Sequence, residues 1–290
     1  MGEWPLVTFT LLVQSSVGIV ILTALYFCWF EHEVGNQRAT LVMKPALLTA
    51  AILGCLGLLS STLHMGYPLN AFHALRHISS SWLSREIVFA ALYLGALCLY
   101  TLFVLIKGHM NRTVLALIGI LGLIDIFCMA SLYFSSSMQT WMHSNTYFMF
   151  FGSVFAAGAA ITLAVTAMKA KVIASPTLAY KLVASALVII FLAIAIRLVV
   201  QPFYVEWLSD VLMTNNAITF PQTPISAYNE IFALRVIAWL ISIAGILVLG
   251  YSMWKKRVAM LTAGMPLVLA GCAMIFIGEV LNRFAFFIVK

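Results

Sequence analysis

The chain is a succession of long apolar runs divided by short polar connectors. Runs long enough to cross a bilayer fall near residues 6–30, 45–63, 87–106, 114–135, 147–168, 180–200, 231–254 and 259–288. Each approaches or exceeds the roughly 20 residues that span about 30 Å of hydrocarbon as a helix. The runs are unbroken and do not alternate apolar with polar positions, which predicts helices and excludes a barrel. The expected fold is therefore all-α: a polytopic membrane bundle of eight transmembrane helices, with residues 1–290 as a single unit.

Composition agrees with this pattern. Hydrophobic residues make up 63% of the chain and charged residues 9%, against roughly 25% charged in a soluble domain. The start, "MGEWPLVTF", has no basic segment, and no small-residue cleavage site follows the first run, so no cleaved signal peptide is expected. The five cysteines, Cys28, Cys55, Cys98, Cys128 and Cys272, lie singly within apolar runs. Without C-x-x-C or other metal spacing they read as buried thiols, and no metal site or iron–sulfur cluster is expected in this chain.

Basic residues set the orientation. Connectors 1–2, 3–4, 5–6 and 7–8 hold ten of them: Arg38, Lys44, Lys107, Arg112, Lys169, Lys171, Lys181, Lys255, Lys256 and Arg257. The opposite side has only Arg76, Arg85 and the terminal Lys290. Both termini are thus expected outside, in the periplasm of a Gram-negative bacterium. The net charge of +7 follows from this topology and gives no reason to expect a nucleic-acid partner. The outer connector 201–230 is the longest and contains no lysine or arginine. Its "PFYVEWLSDVLM" predicts an interfacial helix or a docking surface.

Six ionisable residues lie in or at the ends of spans: Glu86, Asp125, Arg197, Arg235, Glu279 and Arg283. Such residues are costly in lipid unless they snorkel, pair or line a cavity. With the orientation above, all but Asp125 gather in the outer leaflet. Asp125, near the midplane, is expected to be hydrogen-bonded within the bundle. Glu279 and Arg283 stand four apart on one helical face and predict an ion pair. Snorkelling to outer headgroups would account for Arg197 and Arg235. Gly152, Ala156 and Ala160 predict close packing between spans.

The outer connector 64–86, "HMGYPLNAFHALRHISSSWLSRE", concentrates polarity beside that cluster. A polar pocket at the lipid boundary suits a lipid-soluble ligand with a polar head, such as a quinol. Quinol oxidation needs proton acceptors, and a histidine or a partly buried carboxylate serves. His64 closes span 2 and Glu86 opens span 3 on the same face, which makes them the leading pair. No span interior holds a histidine, so bis-histidine haem is not expected. Electrons must then leave through a partner with its own redox centres, docked outside.

The same connector resembles the H-L-G-x-P-x-x-A-x-x-x-L and S-x-L-S-x-E-I motifs of the membrane anchor subunit of bacterial dimethyl sulfoxide reductase. "EWPLVTFT" at 3–10 resembles that family's E-W-P-L-x-x-F-T, and "GEVLNRFAFF" at 278–287 resembles its G-E-x-x-G-R-x-x-F-Y. Met65, Asn282 and Phe287 depart from these patterns without removing an ionisable group. The resemblance implies a menaquinol-oxidising anchor in the bacterial inner membrane, within a heterotrimer. A periplasmic iron–sulfur subunit and a molybdopterin catalytic subunit would be its partners. It implies His64 and Glu86 at the quinol site, with Arg235, Glu279, Arg283 and Arg197 as weaker quinol-binding candidates. Arg76, His73 and His77 are the residues expected to meet the partner. A quinol-handling anchor of a polysulfide- or tetrathionate-type reductase is the related alternative. A small-molecule transporter is the alternative from another class, disfavoured because no inverted repeat or paired broken spans are visible.

Overall fold

Short connectors close the helices by ordinary backbone chemistry. In the computed structural model, which describes residues 4–63, 73, 75–173, 175–211, 223–256, 259 and 261–288, α1 (Trp4–Val34) gives way to α2 (Asn36–Thr62) through one residue. That residue is Gly35 at φ 79°, in the left-handed region glycine enters without cost. Ser81 opens α3 (Trp82–Lys107) by accepting the Ser84 N–H, and Gly108 at φ 65° closes it. Asn111 opens α4 (Arg112–Phe134), its side-chain oxygen accepting the Thr113 and Val114 N–H groups.

A single 3-10 turn (Gln139–Trp141) leads to α5 (Asn145–Ile173). Ser175 caps α6 (Pro176–Asp210), with proline at the first helical position, where its missing N–H costs nothing. The short α7 (Pro224–Glu230) precedes α8 (Phe232–Lys256) and α9 (Met265–Ile288). Among the described residues there is no strand. Eight of the helices, all but α7, are long and apolar enough to cross a membrane, so the protein is a multi-pass membrane protein.

The centre of the bundle is α1, which packs against α2, α4 and α5 and also touches α9. Lipid offers no hydrophobic drive between helices, so close backbone approach carries the packing. At the α1–α5 crossing a methyl group on Gly18 would lie 1.9 Å from the Val154 carbonyl oxygen, and one on Gly158 would lie 2.6 Å from Gly18 Cα. Ala156 and Ala160 are fully buried on the same helix.

Expected boundaries move: α2 begins at Asn36 rather than near 45, and α9 at Met265 rather than near 259. The helix of the sixth run does not stop near residue 200; α6 continues through Pro202 to Asp210. Its extension buries Tyr204 and Leu208 against Tyr228 of α7, while Phe203 faces outward. The long connector thus begins as a rigid continuation of a span.

Candidate functional site

Two buried carboxyl groups lie within electrostatic reach of each other on α3 and α4. On α3 the buried residues Glu86, Ala90, Tyr93 and Leu97 recur at helical spacing, and on α4 Ile118, Gly122, Asp125 and Met129 do the same. Each carboxyl therefore sits on its helix's inward stripe. The two helices are pinned on either side of the pair. The Trp82 ring meets Phe127 edge-on at 5.9 Å, and a methyl group at Gly122 would lie 2.9 Å from Tyr93 Cε2. Between those contacts Glu86 and Asp125 come within electrostatic reach of one another.

Among the described residues neither carboxyl has all its oxygens satisfied. Glu86 Oε2 and both oxygens of Asp125 are buried without a hydrogen-bond partner, so the hydrogen bond expected for Asp125 is not there. The reason lies next door. Ser16 donates to the Ala50 carbonyl at 2.7 Å, so the Tyr93 hydroxyl, 2.7 Å from Ser16 Oγ, gives its proton to Ser16. Arg85 is turned away as well. Its guanidinium donates to the Ile78 and Ser79 carbonyls and lies 4.3 Å from the Trp82 ring centre.

A second polar group lies among α1, α5, α6 and α9. Arg197 forms a bidentate pair with Glu279, with Nη1 3.0 Å from Oε2 and Nη2 on Oε1. The Ser153 hydroxyl stands 2.8 Å from Glu279 Oε2 and accepts from Arg283 Nη2 at 3.0 Å. Arg283 also donates to Gln14 Oε1, and its guanidinium lies 4.3 Å from the Phe150 ring centre. The expected Glu279–Arg283 ion pair is thus replaced by Glu279–Arg197, with Arg283 joined only through Ser153. Snorkelling is overturned too. Arg197 follows Ile190 and Ala193 on the inward stripe of α6 and is fully buried. Arg235 is buried with Ala238 and Ser242 on α8, donates to the Ala285 carbonyl at 3.2 Å and lies 4.1 Å from the Tyr228 ring centre.

An aromatic seam runs from the α3–α4 contact toward a groove at the surface. Trp82 meets Phe127, and Phe127 meets Tyr147 at 5.7 Å. Tyr147 borders a groove of about 290 Å³ between α5 and α6, also lined by Phe148, Phe151, Phe155 and Ile196. Gly152 lies in that groove wall, with the Arg197 side chain directly behind it.

The connectors add the remaining candidates. His73, Arg76 and His77 are exposed. His64, the leading candidate, lies outside the described residues. His143 packs its ring against Tyr204 and Trp207 at 5.5 and 5.2 Å, and Nδ1 accepts the Asn145 N–H. Partial burial holds its imidazole below the ordinary value. Among the described residues no three His, Cys, Asp or Glu side chains are grouped to hold a metal ion. Gln14 and Ser153 were not among the residues expected from sequence, although an amide inside the first apolar run is a visible signal.

The protein is similar in sequence to known proteins. The C subunit of the anaerobic dimethyl sulfoxide reductase of Haemophilus influenzae is 31% identical over 168 residues, which cover 56% of this protein and 58% of that relative. The YnfH subunit of an anaerobic dimethyl sulfoxide reductase of Escherichia coli is 29% identical over 167 residues, covering 56% and 57% of the two sequences. The C subunit of the Escherichia coli enzyme is 28% identical over 160 residues, 54% and 55% of each. The matched part is thus little more than half of each relative's length. The family model described as "DMSO reductase anchor subunit (DmsC)" matches residues 1–287. With its eight apolar helices, the protein belongs to the DMSO reductase anchor subunit family of inner-membrane proteins.

Proposed function

We propose that the protein is the menaquinol-oxidising anchor of an anaerobic respiratory molybdoenzyme of the dimethyl sulfoxide reductase type. The observation that carries this reading is Glu86, a buried carboxyl with an unpartnered oxygen near the start of a span, in a protein of this family. Such a group is free to receive a hydroxyl proton. His64, at the end of the neighbouring span in sequence, is the second acceptor. The aromatic seam and the groove between α5 and α6 offer an apolar approach for the quinol ring and its isoprenoid tail.

Both termini and the connector 64–86 face the periplasm in this reading, as the distribution of basic residues supports. His73, Arg76 and His77 then meet an iron–sulfur subunit that receives the electrons and passes them to a molybdopterin subunit. Arg197, Glu279, Arg283 and Arg235 bond to one another or to the bundle, which suits them to shaping the pocket wall. Protons released and later consumed on one side would make turnover electroneutral. A membrane potential built by quinol oxidation in proteoliposomes free of other pumps would contradict that.

The central test uses His64→Ala and Glu86→Gln in the intact complex. The expected result is a stably assembled complex in which each variant loses on the order of 10²-fold or more in oxidation of a menaquinol analogue. Wild-type turnover in both would place the quinol site elsewhere.

A further inference from the structure

We propose that Asp125 is the inner half of a proton-sharing carboxyl pair with Glu86, and that this pair takes up and passes on one proton of each quinol oxidised. The inference rests on the quinol reading above and adds a residue to it. Asp125 is fully buried, and both its oxygens lack a partner. Along α3 and α4 both residues fall between the Trp82–Phe127 and Tyr93–Gly122 contacts that pin the two helices, and Glu86 Oε2 is also unsatisfied. A carboxyl used only for structure would be hydrogen-bonded at this depth, since an unpaired polar group in hydrocarbon is expensive. Here a neighbouring donor has been committed elsewhere, because Tyr93 gives its proton to Ser16.

Two carboxyls in mutual reach, with neither donor nor cation supplied, cannot both ionise. The pair therefore holds at least one proton at rest and has capacity for a second. When the quinol is oxidised, the proton of one O–H bond enters the pair at Glu86, that of the other goes to His64, and the two electrons leave for the iron–sulfur centre of the partner subunit. The pair goes from one proton to two, and loss of a proton to the outer aqueous side resets it. Among the described residues the titratable or charged groups nearby are Tyr93 of α3, Cys128 of α4 and Arg85 of α3, whose guanidinium is committed to the Ile78 and Ser79 carbonyls. Ser16 and Gln14 of α1 do not titrate, and Tyr147 of α5 is bonded to Ser131.

The test compares Asp125→Asn, Asp125→Glu and Glu86→Gln in the intact complex, using a menaquinol analogue. Rates are followed against pH, and carboxylic-acid C=O bands are followed by redox-difference infrared spectroscopy. Asp125→Asn, an isostere that removes the acid, should slow oxidation on the order of 10²-fold. It should also collapse a two-step pH dependence to one step, since coupled sites titrate as a pair. Asp125→Glu should restore much of the rate with a displaced carboxylic band. An unchanged infrared spectrum and pH profile in Asp125→Asn, while Glu86→Gln is inactive, would overturn the pair and leave the quinol reading standing. Normal oxidation by Glu86→Gln would overturn the pair, and normal oxidation by His64→Ala as well would overturn the quinol reading. Should Asp125→Asn fail to assemble, Asp125→Glu decides alone: a displaced band supports the pair and an unmoved one overturns it.

Discussion

The side chain of Arg197 on α6 lies directly over the backbone of Gly152 on α5. A methyl group there would come 2.4 Å from Arg197 Cδ and 2.6 Å from Nε. The missing side chain is what lets the guanidinium reach Glu279 on α9. Gly152→Ala should therefore push Arg197 out of its bidentate geometry, at an overpacking cost of about 1–3 kcal/mol. Thermal unfolding of the purified complex in detergent would show it as a lowered midpoint.

The Arg197–Glu279 pair should behave as a unit. Removing one partner strands a buried charge, and Arg197→Met or Glu279→Gln alone should cost about 3–5 kcal/mol. Replacing both with apolar residues of similar volume should recover most of that loss. A double-mutant cycle on unfolding midpoints measures the coupling, and strictly additive losses would mean the two groups act independently.

Backbone contact between α1 and α5 leaves no room for a side chain at Gly18, where a methyl group would meet the Val154 carbonyl oxygen at 1.9 Å. Backbone cannot rotate away as a side chain can, so Gly18→Ala must part the helices. We expect a loss of about 1–3 kcal/mol or more, and a similar loss for Gly158→Ala. Ala156→Gly, which adds no bulk, should cost less than either.

His143 should make stability fall in mild acid. Its imidazole is held below the ordinary value of 6.5 by burial, so the unfolded chain binds the proton more readily than the folded one. Its contribution is complete above about pH 6.5 and diminishes as pH falls below it. Protonation also removes the Nδ1 lone pair that accepts the Asn145 N–H at the start of α5. Unfolding midpoints measured across that range should fall more steeply in the wild type than in His143→Gln.

Particular residues show where sequence reading succeeds and where it stops. The run 87–106 is the helix Trp82–Lys107, because every position in it is tested against lipid separately and no partner is needed to judge it. The run 180–200 ends too early, because the polar residues from Gln201 onward close the apolar stretch. The helix nevertheless continues because Tyr204 and Leu208 gain a packing surface on Tyr228, which is remote in sequence. Glu279 and Arg283 obey the four-residue rule as neighbours on one helix. Arg197, 82 positions away, offers a bidentate fit and takes the carboxylate instead.

Asp125 divides the two kinds of information most sharply. That a carboxyl lies near the middle of an apolar run could be read directly, as could the eight spans, the side that carries basic residues and the motifs of the anchor family. That it comes within electrostatic reach of Glu86, and that Tyr93 has no proton left to give it, depends on how α1, α3 and α4 cross. Hydropathy is a property each residue has alone against water or lipid, so it is written along the chain. Pairing between buried polar groups depends on ångström-scale distances set by glycines on neighbouring helices, and only the packed bundle decides those.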